Sequence, residues 1–191
     1  MVNYFILHNS KNTNNILVFA VFLCMILISV SGMFPVENLF INFKTPESVF
    51  EYASYGEIND IVYGNNSCMV VCSKGGNNIG QYIIPKKEEV YKISGYFDTK
   101  KAFHKFDKSG NFDVYNLSGT SDYYVIGIMR VIGNETDIKD SNNINVKSIA
   151  FESGDNGKTK TLLIYAFVEN FTNDYFLLVN GEKIVFEKND L

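Results

Sequence analysis

Hydrophobic positions fall into three regimes along the chain. From Asn12 to Val36 no charged side chain occurs, and Ile16 to Val36 is apolar except for Ser29, Ser31, Gly32 and Pro35. As a helix these 21 positions reach about 30 Å, the thickness of a bilayer's hydrocarbon core. The second regime is brief. Thr45-Pro46-Glu47 supplies an N-cap, a proline suited to the first helical position and an acid for the positive end of the helix dipole. This predicts a helix from Pro46 to Ser54, with Val49, Phe50 and Ala53 on one face, Tyr52 nearby, and Gly56 ending it.

In the third regime short apolar or alternating runs are separated by Gly, Asn, Asp and Ser, the spacing of antiparallel hairpins. Strands are predicted over Ile58 to Tyr63, Cys68 to Ser73, Ile79 to Ile84, Glu89 to Ile93, Lys101 to Phe106, Phe112 to Leu117, Tyr123 to Val131, Ile144 to Phe151, Thr161 to Val168, Tyr175 to Val179 and Lys183 to Glu187. Asn180-Gly181 is the strongest turn signal, because it offers the two positive-φ residues of a tight hairpin. Tyr123 to Val131 and Leu162 to Val168 are apolar on both faces and belong centrally. The polar stretch Gly133 to Asn145 reads as a mobile surface loop.

No helix-length segment separates the strands, which argues against a parallel α/β sheet. The expected class is α+β, mainly antiparallel β. Its parts are a cytoplasmic N-terminus (1–15), a transmembrane helix (16–36), a linker (37–44), one short helix with a β-meander (45–95) and a β-sandwich-like unit (100–191), the last two able to share one core.

Charge sets the expected orientation of the apolar segment. Lys11 and the α-amino group precede it, while Glu37, Glu47 and Glu51 lie beyond it, so the positive-inside bias puts the N-terminus in and the bulk of the chain out. A cleaved signal peptide is the competing reading, with Ile16 to Ser29 as its core and a cut near Gly32; continuation through Met33, Phe34 and Val36 favours the anchor. Cys24 follows bulky Phe22 and Leu23, a poor lipidation context, and reads as a membrane-facing side chain.

Composition narrows the function classes. The chain carries −4 overall, and Lys11 is the only charged side chain before Glu37, so removing its positive charge leaves −5 for the remainder. A mildly acidic domain is a poor partner for nucleic acid, which selects clustered Lys and Arg. The pairs Lys86-Lys87 and Lys100-Lys101, with Lys105 and Lys108 nearby, read as solvated strand ends. Phe (16) and Tyr (12) are plentiful, enough for an aromatic core.

The candidate chemistry is sparse. Gly157-Lys158-Thr159 lacks the earlier glycine of a phosphate loop, since Glu152 stands there, and a strand comes next instead of a helix. Cys68 and Cys72 fall on one face of a strand roughly 13 Å apart, too far for a disulfide, and read as small buried hydrophobes flanking Val70. His104 could serve as a base with Cys68 or an Asp, because its imidazole titrates near neutrality, but no nucleophile context accompanies it. His104 and Cys68 are thus the weak catalytic candidates. Asp107, Asn111 and Asp113 miss calcium-loop spacing and read as turn chemistry around Gly110. Arg130, the single arginine, sits in the most apolar strand; a partly buried ion pair is the preferred reading and a ligand anchor the alternative. Sequons at Asn65, Asn116, Asn134 and Asn170 carry little information in so Asn-rich a chain. No metal site and no cofactor are expected.

Phe43 to Val71 (F-K-T-P-E-S-V-F-E-Y into G-E-I-N-D-I-V-Y-G-N-N-S-C-M-V-V), His104 to Gly127 and Phe171 to Lys183 together resemble a group of uncharacterised exported or membrane-anchored proteins of low-GC Gram-positive bacteria. The resemblance implies a bacterial cell-surface setting and brings no activity, cofactor or catalytic residue with it. Many members of the group have another residue at the position of Cys72, so the resemblance implies no obligatory cysteine pair.

The sequence supports three readings of function. The first is a membrane-tethered extracytoplasmic interaction module that meets a protein or envelope component. The second is a small cell-envelope hydrolase using His104. The third is a membrane sensory or immunity partner whose anchor contacts another membrane protein through Ser29, Ser31 and Gly32.

Overall fold

Thr45 begins the folded part as its sequence context requires. Its Oγ1 accepts from the Ser48 N–H at 3.3 Å and Pro46 takes the first helical position. The structure, a computed structural model, describes residues 15–26, 34–75, 78–106, 108, 110–133, 136–154 (backbone only from 151) and 159–189. The chain divides into two compact units, Met1–Ile41 and Asn42–Leu191.

In the first unit, residues 15–26 form helix α1, whose apolar side chains, Phe19 and Phe22 among them, are exposed. A 3-10 turn spans Val36–Leu39. Among the described residues no helix is long and apolar enough to cross a membrane. The apolar segment Ile16 to Val36 lies partly outside the described residues, because 27–33 are not among them.

In the second unit, helix α2 (Pro46–Ala53) buries Val49 and Phe50, and the Phe50 ring meets Tyr82 edge-on at 6.4 Å. The strands are β1 (Glu57–Tyr63), β2 (Ser67–Ser73), β3 (Ile79–Lys87), β4 (Val90–Tyr91), β5 (Thr99–Phe106), β6 (Gly110–Leu117), β7 (Asp122–Ile132), β8 (Ile138–Asp140), β9 (Lys147–Gly154), β10 (Thr159–Glu169), β11 (Phe176–Val179), β12 (Glu182–Val185) and β13 (Glu187–Lys188). They form three sheets, ordered β1-β2-β3-β4, β13-β5-β6-β7-β10-β9 and β12-β11-β8. Every pairing is antiparallel, so the protein is mainly antiparallel β.

Alternation along β7 and β10 makes the six-stranded sheet the wall between two cores. On one face Val62, Met69, Val71 and Ile83 of the first sheet pack with Tyr124, Ile126, Leu163 and Tyr165. On the other, Val125, Met129, Leu162 and Ile164 pack against Leu177, Val179 and Ile184 of the third sheet. Phe171 is the hub there, its ring centroid lying 4.6, 4.8, 5.6 and 5.8 Å from those of Phe103, Tyr175, Phe186 and Tyr123. Strand β2 is buried from Ser67 to Cys72 because both its faces are covered, by α2 and by the six-stranded sheet.

Two polar clasps, one buried and one part-buried, tie the first sheet to the second. Asp122, fully buried, accepts from Asn66 N–H at 2.7 Å and from Ser67 Oγ at 2.6 Å; Ser67 Oγ also lies 2.9 Å from Tyr124 OH. Asp60, set inward by a bulge in β1, accepts from Lys147 Nζ at 2.7 Å, Tyr165 OH at 2.9 Å and Ile61 N–H at 2.8 Å.

The stretch Gly133 to Asn145 departs from the loop expected of it. Ile138–Asp140 forms β8 against β11, and the buried Asp140 accepts from the N–H groups of Asn142 (3.0 Å) and Ile144 (2.8 Å). Asn180 and Asp137 are linked in both directions at 2.8 Å. Asn180 and Gly181 take φ of 51° and 83°, the two positive values their sequence predicts.

Candidate functional site

The first sheet covers only part of the six-stranded face, because β7 and β10 run eleven residues each while β1 and β2 run seven. Where the cover ends, a cleft of about 160 Å³ opens between β3 and β6–β7. Its polar wall is Gln81, Asn111, Asp113 and Tyr115; Ile79, Ile126, Ile128 and Leu163 supply the apolar side, with Gly127 at its base. Gly127 is bare for a steric reason: it faces Phe112 in register, and a Cβ there would overlap the Phe112 ring.

Asp113 Oδ2 accepts from Lys101 Nζ at 2.9 Å and from Tyr115 OH at 3.2 Å. Burial first, and the Asp113 charge second, push the Tyr115 phenol up to about 12, so it stays a neutral donor at physiological pH. Beyond the cleft the same face continues as an uncovered apolar patch. Phe106 pairs with Asn111 and Asn111 with Ile128, which sets all three on one face; Arg130 and Ile132 follow Ile128 along β7. Phe106 is 77% exposed, Ile128 43% and Ile132 80%.

Cys68 and His104, the two weak catalytic candidates, lie on different sheets. Cys68 is fully buried in β2, on the alternate face from Met69 and Val71, which meet the six-stranded sheet. Burial pushes its thiol up to about 12, far from an activated thiolate. Cys72 is buried likewise, its thiol raised by burial, and the two form no disulfide. His104 is half-buried on β5, in register between Asp113 and Glu187, and its Nδ1 finds no hydrogen-bond partner among the described residues. Arg130 is exposed rather than partly buried, because the outer part of β7 outruns its cover; it donates to Thr159 Oγ1 at 3.2 Å. No group of metal-ligating side chains gathers among the described residues. The Gly157-Lys158 stretch lies outside them, as does Asp107.

Of the cleft residues, Asn111 and Asp113 carry a weak sequence signal, polar side chains breaking an apolar strand. Gln81 and Tyr115 carry none. Comparison of the chain with protein-family models, with curated proteins and with solved structures finds no match.

Proposed function

We propose that the chain is a membrane-tethered, extracytoplasmic interaction module, with the uncovered face of the six-stranded sheet as the surface that meets a protein partner. The observation that carries this reading is the apolar patch of Phe106, Ile128 and Ile132 beside a small polar-walled cleft. Large exposed apolar side chains rimmed by polar ones are costly to leave in water and typify protein contact sites. The cleft is about 160 Å³, below the roughly 300 Å³ at which small-molecule pockets begin, and suits one inserted side chain.

The tether rests on Ile16 to Val36, whose length and lack of charge suit a single-pass transmembrane helix with the C-terminal unit outside; secretion after cleavage near Gly32 is the alternative. In this architecture the anchor is followed by a helix with a β-meander and a β-sandwich-like unit. A hydrolase built on His104 with Cys68 or an Asp has less support, because Cys68 stands on another sheet with an unreactive thiol, and the cross-strand neighbour Asp113 is held by Lys101 and Tyr115 while His104 Nδ1 finds no partner among the described residues.

Two measurements test the reading. Under alkaline carbonate extraction the full-length chain is expected to stay with the membranes, and protease added outside intact cells should digest the part after residue 41. Release into the supernatant would refute the anchor. Ile128→Asp with Ile132→Asp should abolish crosslinking to the partner while leaving the melting temperature within a few degrees; an unchanged crosslinking pattern would refute the docking face.

A further inference from the structure

We infer that the cleft between β3 and β6–β7 receives one basic side chain, arginine or lysine, carried by the partner that covers the adjoining patch; this rests on the interaction reading above. Asp113 spends Oδ2 on both Lys101 and Tyr115, and no partner at Oδ1 is found among the described residues. The cleft therefore offers a carboxylate oxygen with acceptor capacity to spare, flanked by the amides of Asn111 and Gln81. A guanidinium or ammonium group brings only donors, which suit a carboxylate oxygen with lone pairs to spare.

The apolar side, Ile126 and Ile128 in particular, suits the alkyl stem that arginine and lysine bury behind their charge. Net charge agrees, since the chain beyond the apolar segment carries −5 and steers a basic partner toward it. Lys101 is a replaceable resident. Its side chain is 41% exposed, and such a bridge is held only weakly in water. An arriving cation with a buried stem takes over the carboxylate and Lys101 turns to solvent.

The test titrates the full-length chain in a mild non-ionic detergent with N-acetyl-arginine amide, its neutral urea isostere N-acetyl-citrulline amide, and a seven-residue peptide with a central arginine, following amide chemical shifts at Asn111 to Tyr115. The arginine probes should bind saturably and the citrulline probe should not. Asp113→Asn should weaken binding about tenfold, whereas Lys101→Met should strengthen it several-fold by removing the competitor. A merely structural role for the Lys101–Asp113 bridge would move both variants the same way. Equal binding of arginine and citrulline probes, or weaker binding by Lys101→Met, overturns the proposal. The peptide should bind at least tenfold more tightly than the free amide; a free amide that binds as well overturns the partner side chain in favour of a small amine. Probe binding without retention in carbonate-washed membranes would sink the tether alone, and retention without probe binding would sink the cleft alone.

Discussion

Gly127 and Asp122 show how much of this protein hangs on single positions. Gly127 leaves room for the Phe112 ring across the β6–β7 pair, so the glycine and the aromatic form one packing unit. Gly127→Ala should cost about 3 kcal/mol or more, because a methyl forced into a filled core displaces backbone as well as ring; urea unfolding would read the loss as a lower midpoint with unchanged slope. Asp122→Ala should cost about 3 kcal/mol as well, since it removes the carboxylate to which the buried Ser67 hydroxyl and the part-buried Asn66 N–H donate. Neither residue announces itself in sequence. Gly127 resembles any strand glycine, and Asp122 meets its partners across 55 and 56 positions of chain. Arg130 departs the other way: its apolar neighbours point to burial, but burial depends on where the facing sheet stops.

Elements are legible where their cause is local. Helix α2 follows from Thr45-Pro46-Glu47, and the β11–β12 turn from Asn180-Gly181. Strand β8 is not legible, because three residues with no period of their own become a strand only through β11, whose Leu177 to Val179 pair with them from some 40 positions away. Asp140→Ala should unfasten it, costing about 2 kcal/mol for two lost N–H acceptors. Hydrogen exchange should speed over 138–146 with little change in β7. The β1 bulge has a pH signature. Burial by itself raises the Asp60 carboxyl, but hydrogen bonds from Lys147, Tyr165 and the Ile61 N–H, with the Lys147 charge, outweigh it and bring it below its ordinary value. A carboxylate lowered in the fold adds stability that is complete above its unfolded value of about 3.9 and disappears as pH falls through the folded value. Denaturant midpoints should therefore drop below about pH 4, and Asp60→Asn should flatten that part of the profile while lowering stability at neutral pH.

At the scale of the whole unit, the six-stranded sheet serves two cores at once, and β7 with β10 belongs to both. That arrangement orders events during synthesis. Met69 and Val71 emerge early, yet Leu163 and Tyr165, which complete their core, arrive about 100 residues later, on the order of 5–20 s at ordinary translation rates. Until β10 arrives the leading meander has at most Leu117 and the β7 residues Tyr124 and Ile126 to close on, and its apolar face stays incompletely covered, a state prone to association with other chains. A chain stopped at residue 158 should show β1 to β3 amides exchanging as fast as an unfolded peptide. The last third of the sequence thus acts as the latch for the first, and whatever attends this protein while it is being made must hold it open until β10 arrives.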